Sequence, residues 1–215
     1  MIVSQDYTIY DLPLQDWNPS TSWEIKSVAD IASVVGGGTP DTDVPEYWFP
    51  AEIPWATPTD ITACQGVFIS RTERSISQAG ADSCAATILP SNSVLLTSRA
   101  TIGECRINSV PMTTNQGFAS LVPKPGTDRL FLFYLAQFLK PAFVRLACGS
   151  TYLEVSRREL RRVRFGCPEE SEQRVIGETL FRIDEALEFG QTEPLLRLRR
   201  SLLQNLLSGR VKVRT

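Results

Sequence analysis

The chain has 215 residues, which is enough for one domain with an extension or for two small domains. Its hydrophobic share of 42% is ordinary, and neither an apolar run long enough to cross a membrane nor an N-terminal signal pattern is found, so we expect a cytoplasmic protein without membrane contact. The sequence contains no His, which removes the commonest general base and the Ser–His and Cys–His nucleophile pairs. These features argue against an enzyme.

Five cysteines lie far apart along the chain, at Cys64, Cys84, Cys105, Cys148 and Cys167. No C-x-x-C pair is present, so the spacing does not predict a zinc site or any other metal centre. The odd number argues against a complete disulfide framework. We therefore expect reduced, buried thiols.

The net charge of −2 conceals an asymmetry along the chain. Residues 1–50 contain eight acidic residues and one basic residue, whereas the remainder contains 21 basic and 16 acidic residues. Arginine dominates that basic surplus, with a cluster at Arg157, Arg158, Arg161, Arg162 and Arg164. The total charge does not indicate a nucleic-acid-binding protein, but the arginine cluster has the chemistry to bind phosphate.

The first fifth of the chain ends in a glycine-rich loop. Residues 1–22 are acidic and aperiodic, which predicts an arm or a peripheral strand, and residues 23–34 predict a short strand or helical turn. The sequence Gly-Gly-Gly-Thr-Pro then follows at 36–40. Three consecutive glycines permit a close approach to a ligand, although a plain flexible turn fits the local sequence equally well. The loop is not a phosphate-binding P-loop, because no G-K-[ST] follows it.

Residues 23–167 predict an α+β domain of many short strands and a few helices. The expected strands lie within the stretches 53–61, 67–70, 93–98, 105–110, 119–122 and 163–165. A proline-rich turn follows the first of these strands, and Gly80 is expected to break a possible helix in the polar segment 71–86. One helix is predicted from residue 130 to about 147 despite Pro141, and a shorter one over 157–162.

Residues 168–208 carry the strongest helical signal of the chain. An apolar stripe at helical spacing is formed by Ile176, Leu180, Ile183, Leu187, Leu195, Leu198, Leu202 and Leu206. About 38 residues at ~1.5 Å each would form a rod of about 57 Å. A small domain does not need a rod of this length for its own core, so we expect the stripe to line a coiled-coil dimer interface. The alternative is a helical hairpin folded back on its own domain.

Two residues interrupt this stripe. Gly190 and Pro194 predict a kink or break around residues 190–194, with Thr192 as the N-cap of the restarted helix. Gly209 is expected to end the last helix, leaving residues 209–215 as a C-terminal tail.

Seven short motifs follow one another in a fixed order along residues 23–213. They are G-G-T-P at 37–40, I-P-W at 53–55 with D-I at 60–61, T-S-R at 97–99 with I-G at 102–103, T-N-Q-G at 114–117, G-S-T at 149–151, Pro168 with E-Q at 172–173, and L-L-S-G-R-V at 206–211. Together they resemble the DNA-specificity subunit of type I restriction-modification systems. A usual member has two target-recognition domains and two helical regions, so this sequence resembles a half-length form with one of each.

The resemblance implies a subunit that reads double-stranded DNA and has no catalytic centre. Its helical region would pair two domains as a homodimer, whose twofold symmetry would make the target a split palindrome. The helices would also dock methyltransferase (modification) subunits, and a restriction subunit would join through that complex. S-adenosylmethionine and ATP would belong to those partners, so no cofactor is expected on this chain.

Residues with base-reading or phosphate-binding chemistry in the predicted loops form the expected DNA-contacting set. Arginine can pair with guanine, and Asn or Gln with adenine. The set consists of Thr39, Arg71, Arg74, Ser98, Arg99, Asn115, Gln116, Ser150, Thr151, Tyr152, Arg157 and Arg158. Asn115 and Gln116 could instead bond the backbone of their own turn, and Tyr152 could pack in the fold.

Two other functions compete with DNA reading. A structural assembly module would dimerise without sequence-specific DNA binding, and the acidic first 50 residues favour it because they repel phosphate. A stand-alone nuclease or methyltransferase would need a catalytic centre, but the sequence contains no N-P-P-[YFW], F-x-G-x-G or Walker motif.

Overall fold

The computed structural model describes residues 23–149, 153–190, 192–211 and 213, and within them the fold is α+β, as predicted. The expected N-terminal arm, residues 150–152 and much of the C-terminal tail lie outside this part. The strands are β1 (Glu24–Ser27), β2 (Ala32–Gly36), β3 (Ile53–Ala56), β4 (Phe68–Ile69), β5 (Arg74–Ile76), β6 (Val94–Leu96), β7 (Cys105–Asn108), β8 (Thr113–Thr114), β9 (Ala119–Pro123) and β10 (Arg164–Cys167). The helices are α1 (Val28–Ile31), α2 (Pro58–Ala63), α3 (Gln78–Asp82), α4 (Arg129–Phe138), α5 (Lys140–Leu146), α6 (Arg157–Arg162), α7 (Glu170–Phe189) and α8 (Glu193–Leu207).

The strands form three sheets. The largest has five strands in the order β2-β9-β6-β7-β4, antiparallel except for the β4–β7 pair. A three-stranded sheet has the order β5-β3-β8, and β1 pairs with β10. A strand is found in each of the six predicted stretches, so that part of the prediction is confirmed.

The central sheet separates two hydrophobic cores, as the alternation of side chains on β6 shows. Val94 and Leu96 face the larger core, which holds α4 and the C-terminal helices, whereas Leu95 faces a second core with Ile61 and Met112. Neighbouring strand residues point to opposite faces. All three side chains of β6 are therefore buried, which explains the continuous apolar sequence of this strand.

Helix α4 is the centre of the larger core. Its sequence L-F-L-F-Y-L-A is apolar around the whole circumference, and all of these residues are buried. The Asp128 carboxylate accepts a hydrogen bond from the amide of Phe131 at 2.8 Å and caps the helix. The predicted single helix is divided in two, because α5 restarts at Lys140 with Pro141 in its first turn, where a proline removes no helical hydrogen bond.

Two short helices form where the sequence predicted a proline-rich turn and a helix broken at Gly80. Thr57 caps α2, since its hydroxyl accepts from the amide of Asp60 while the Asp60 carboxylate accepts from the amide of Thr57 at 2.8 Å. Helix α3 continues through Gly80, which was expected to break it. A Cβ on Gly80 would lie 2.2 Å from the carbonyl oxygen of Tyr47. The glycine there permits close packing and does not terminate the helix.

The C-terminal helical region is confirmed, and it takes the form of the helical hairpin that was the alternative to an extended rod. Helices α7 and α8 pack against each other and both contact α4, so they form a hairpin folded onto their own domain. The break lies where it was predicted, with Gly190 at the end of α7 and Thr192 at the N-cap position of α8. Pro194 occupies the first turn of α8, where it is tolerated. Gly209, at φ +71°, follows the last helix.

The hairpin uses much of the predicted dimer stripe within one chain. Ile176 and Leu180 are fully buried, and Leu187 and Leu206 nearly so. Ile183, Leu195 and Leu202 are half-buried, and Leu198 is exposed. A helix is stabilised in a protein mainly when its apolar face packs against another apolar surface. Here the apolar faces of α7 and α8 pack against each other and against their own domain.

Polar contacts fix the start of α7 on the domain. The side chain of Gln173 is buried, accepts from the amide of Asp128 at 3.1 Å and donates to the carbonyl of Pro168 at 2.9 Å. The indole of Trp23 donates to the Glu172 carboxylate at 3.1 Å. The E-Q pair at 172–173 therefore joins the helical region to the α+β domain.

The five cysteines are free thiols, as expected, but only Cys105 and Cys167 are buried; Cys148 is exposed. No helix in the described part of the chain is long and apolar enough to cross a membrane.

Candidate nucleic-acid interface

The glycine-rich loop packs directly against the loop that follows β8. A Cβ on Gly37 would lie 2.2 Å from the carbonyl oxygens of both Thr114 and Asn115, so only glycine fits there. The amide of Gly38 donates to the carbonyl of Thr114 at 3.0 Å. Of the two interpretations open from the sequence, the structure shows a loop held by close backbone packing, and no bound molecule is needed to explain its glycines.

This packing brings Thr39 and Gln116 side by side on the surface. The Thr39 hydroxyl donates to the side-chain oxygen of Gln116, and both residues are exposed. Asn115 differs, because its side-chain oxygen accepts from the amide of Gly117 at 2.9 Å. Asn115 therefore bonds its own turn, which was the structural alternative for this residue, while Gln116 faces outwards.

Ser98 and Arg99 continue this surface on the next strand connection. The backbone of Ser98 donates to the carbonyl of Gly117 at 2.8 Å and accepts from the amide of Val155 at 3.1 Å. Ser98 is only 2% exposed, so its hydroxyl lies beneath the surface and supports it. Arg99 is half-exposed, and its Nε lies 2.9 Å from a carboxylate oxygen of Glu154 in an ion pair without hydrogen-bond geometry.

Helix α6 completes the surface with two exposed arginines. Ser156 caps the helix by accepting from the amide of Glu159 at 3.1 Å. A Cβ on Gly36 would lie 2.7 Å from Nη1 of Arg157, so this guanidinium lies against the start of the glycine-rich loop. Arg158 is exposed beside it. The side chain of Arg161 donates to the carbonyl of Val34 at 2.8 Å and holds α6 on β2.

Two predicted arginines make no direct contact with the glycine-rich loop, the loop after β8 or α6. Arg74 on β5 is exposed and stacks on Trp48, with its Cζ 3.6 Å from the ring centroid. Arg71 is exposed in the loop after β4 and lines a shallow cavity of about 340 Å³ with Asp60 and Glu73. The predicted contacts Ser150, Thr151 and Tyr152 lie outside the described residues.

The structure thus joins most of the predicted set at one end of the five-stranded sheet. Gly36 ends β2, Ala119 begins β9 opposite it, and Ser98 follows β6, so three connections meet there. Exposed Thr39, Gln116, Arg157 and Arg158 offer a hydroxyl, an amide and two guanidinium groups. This combination can neutralise phosphate and hydrogen-bond to base edges.

The sequence profile of the type I restriction modification DNA specificity domain family matches residues 20–196. The chain belongs to this family. The match contains the whole interface and α7, and it ends within α8.

Curated specificity subunits of the same family are similar over most of this chain. The type I restriction enzyme MjaIX specificity subunit of Methanocaldococcus jannaschii is 38% identical over 172 residues, which cover 77% of this chain and 39% of that relative. The EcoR124I/EcoR124II specificity subunit of Escherichia coli is 24% identical over 167 residues, covering 75% of this chain and 41% of the relative. The chain spans about two fifths of these relatives.

Solved structures of specificity subunits share the fold. The HsdS subunit from Thermoanaerobacter tengcongensis aligns with a TM-score of 0.60 and 19% identity, covering 93% of this chain and 48% of that one. The S subunit from M. genitalium aligns with a TM-score of 0.55 and 15% identity, covering 80% and 42%. These alignments extend the specificity-subunit fold over both the recognition domain and the helical region.

Two residues of this specificity domain's surface are not identified by the sequence alone. Glu154 pairs with Arg99 across an isolated strand bridge, and Trp48 lies under Arg74 although the two are far apart in sequence. An arginine commonly pairs with a carboxylate or lies over an aromatic ring. The sequence contains many acidic and aromatic residues, so it does not identify the one that contacts Arg99 or Arg74.

Proposed function

We propose that this chain is the DNA-reading, non-catalytic subunit of a type I restriction-modification complex. The observation that carries the proposal is the continuous surface in which Thr39 and Gln116 lie beside the glycine-rich loop and Arg157 lies against its first residue. These groups come from three separate connections at one end of a rigid sheet. A constellation held in this way can keep its geometry while the DNA is bound.

The proposed contacts have two roles. Arg157 and Arg158 suit phosphate oxygens, because exposed guanidinium groups release counterions from DNA when they bind. Gln116 and Thr39 suit base edges, since an amide can make two hydrogen bonds to adenine. Arg99 could contact either a phosphate or a base edge, and its ion pair with Glu154 would restrict the orientation of its side chain.

Dimerisation through the C-terminal helical region is part of the proposal. In the hairpin, Ile176 and Leu180 are already buried within one chain. A dimer that uses the same stripe therefore requires α8 to swing out at Gly190 and to occupy the corresponding groove of a second copy. Gly190 is free to act as this hinge, because a Cβ there would meet no atom within 4 Å. Short connections between packed helices favour this kind of exchange.

A twofold dimer would present two recognition surfaces to DNA. Its target would then be a split palindrome whose half-sites are separated by the spacing of the domains. We propose that the helical region also docks the methyltransferase subunits, that the restriction subunit joins through them, and that S-adenosylmethionine and ATP bind to these partners.

Mapping of methylated adenines in cells that express this chain with its modification subunit tests the proposal. A bipartite palindromic motif is the expected result, since it requires both sequence reading and twofold symmetry. Cells with the chain deleted should lose this methylation. Methylation that is absent or scattered when both proteins are present would contradict the reading function.

A structural assembly module is the second candidate. The observation that favours it is the acidic N-terminal quarter, with eight acidic residues and one basic residue in residues 1–50, which opposes DNA electrostatically. This module would form the dimer and bind the modification subunit, but it would show equal affinity for all DNA sequences. Binding assays with cognate and scrambled duplexes separate the two candidates.

A further inference from the structure

Arg74 has an unusual environment for an exposed arginine. Its guanidinium carbon lies 3.6 Å from the ring centroid of Trp48 and 5.4 Å from that of Trp55. Within the part of the chain that the structure describes, no carboxylate pairs with Arg74, in contrast to Arg99 and Arg199. One face of the guanidinium is therefore covered by an aromatic ring, while its hydrogen-bond donors have no acidic partner.

The aromatic platform under Arg74 is itself fixed. Trp48 and Trp55 meet edge to face, with ring centroids 5.3 Å apart and an interplanar angle of 89°. The Trp48 indole donates to the carbonyl of Asp41 at 3.0 Å, and the Trp55 indole donates to the carbonyl of Gly38 at 2.9 Å. Both rings are thus oriented by a backbone bond, and Arg74 rests on a rigid support.

The same bonds connect Arg74 to the candidate interface. Trp55 lies opposite Arg74 across the β3–β5 pair and is bonded to Gly38, the residue before Thr39. Thr39 in turn bonds Gln116. Arg74 therefore projects from an edge strand next to the glycine-rich loop, although it lies on a different sheet from Ser98 and Arg99.

We propose that Arg74 reads a guanine within the target and that Trp48 is the positioning residue that orients it. This inference rests on the DNA-reading function proposed above and adds the identity of one base. Stacking restricts the guanidinium to one plane, and two parallel N–H donors in that plane match the O6 and N7 acceptors of guanine in the major groove. A phosphate can also accept two hydrogen bonds from a guanidinium, so the effect on base preference distinguishes a base contact from a phosphate contact.

Selection of bound duplexes from a random DNA pool, with the full chain and its modification subunit, tests the proposal. The wild-type chain should select a motif that contains a guanine. Arg74→Lys keeps the charge but loses the planar pair of donors, so the preference for that guanine should fall by about tenfold, within the range for one bidentate pair. The other positions of the motif should keep their preferences.

The Trp48 variants separate positioning from charge. Trp48→Ala should relax the same guanine position while Arg74 is still present, whereas Trp48→Phe should retain most of the preference because it keeps a ring under the guanidinium. Thermal unfolding of each variant shows whether the domain is intact. Arg129→Ala removes an exposed arginine at the start of α4, outside the candidate interface and the C-terminal helices, as a control and should leave the motif unchanged.

Three outcomes would overturn the inference. One is a selected motif without guanine. Another is a uniform loss of affinity in Arg74→Lys with every base preference retained, which would identify a phosphate contact. The third is an unchanged preference in Trp48→Ala. If the wild-type chain selects no motif at all, the DNA-reading function itself fails, and this result is distinct from the other three.

Discussion

The carboxylate of Asp184 on α7 pairs with the guanidinium of Arg199 on α8, and the two side chains are largely shielded from solvent. Asp184 also accepts from the phenol of Tyr134 on α4 at 2.9 Å, and Arg199 donates to the side-chain oxygen of Gln137 at 3.0 Å. Burial is the largest single influence on Arg199 and lowers its pKa, but the hydrogen bond to Asp184 and the Coulombic attraction of that carboxylate and of other nearby groups together hold the pKa above its ordinary value. Burial also raises the pKa of Tyr134, so the phenol remains a donor. This network fastens the hairpin to the domain.

Asp184→Asn should lower the free energy of unfolding by about 1–3 kcal/mol, since it leaves the charge of Arg199 without its partner in a partly buried place. Urea denaturation measures the change. Glu185→Gln, on the exposed neighbouring residue of α7, is the matched control and should have little effect. If Asp184→Asn lowers the free energy of unfolding as little as Glu185→Gln does, the network adds no stability.

The proposed exchange of α8 at Gly190 predicts how the oligomeric state responds to loop length. Insertion of four Gly or Ser residues after Gly190 relaxes the connection, so α8 should remain on its own domain and the variant should be a monomer, slightly heavier than the 23.9 kDa of the wild-type chain. Light scattering across a range of concentrations measures the mass. A dimer fraction equal to that of the wild-type chain would contradict dimerisation by exchange of α8.

Two glycines should respond oppositely to alanine. Gly37→Ala places a Cβ 2.2 Å from two carbonyl oxygens and must displace the loop that carries Gln116, so we expect at least a tenfold loss of DNA affinity together with lower stability. Gly190→Ala meets no neighbouring atom and should leave stability unchanged or raise it by about 0.4–1 kcal/mol. Thermal unfolding and DNA titration compare them. A fully active Gly37→Ala would exclude this loop from the interface.

Arg99→Ala should weaken DNA binding without a change in oligomeric mass. Loss of one phosphate contact should reduce the slope of log affinity against log salt by about one. Fluorescence anisotropy at several salt concentrations measures that slope. Arg182→Ala, which removes an exposed arginine from α7 on the helical region, serves as the control. Identical slopes for Arg99→Ala and the wild-type chain would remove Arg99 from the contacts.

The thiols should differ in their reactivity. Burial raises the pKa of Cys105 to about 12 and that of Cys167 to about 11, so both remain protonated and shielded at pH 8. Cys148 is exposed. Alkylation of the native protein followed by mass spectrometry should modify Cys148 first, and Cys105 and Cys167 only after unfolding. Cys148→Ser should abolish the fast phase; rapid labelling of Cys105 would contradict the packing described here.

The sequence motifs divide into two physical groups. Gln173, Leu206 and Leu207 are buried and connect the helical region to the domain, whereas Thr39 and Gln116 are exposed on the candidate interface. The motif G-G-T-P combines both roles, because Gly37 permits close packing and Thr39 faces outwards. A sequence motif indicates that a residue type is required at a position. Only the tertiary structure shows whether the residue is required for packing inside the fold or for contact with a ligand at the surface.

By itself, the sequence determined the short strands, the amphipathic C-terminal helices, their break near Gly190 and the family, because these follow from local periodicity, turn chemistry and ordered motifs. The tertiary structure decided that α7 and α8 fold into a hairpin, since an apolar stripe is satisfied equally by its own domain or by a second copy. It also decided that Ser98 lies beneath the surface and that Trp48 supports Arg74. These contacts join residues that are far apart in the chain, and the local sequence around one residue does not indicate which distant side chain will pack against it.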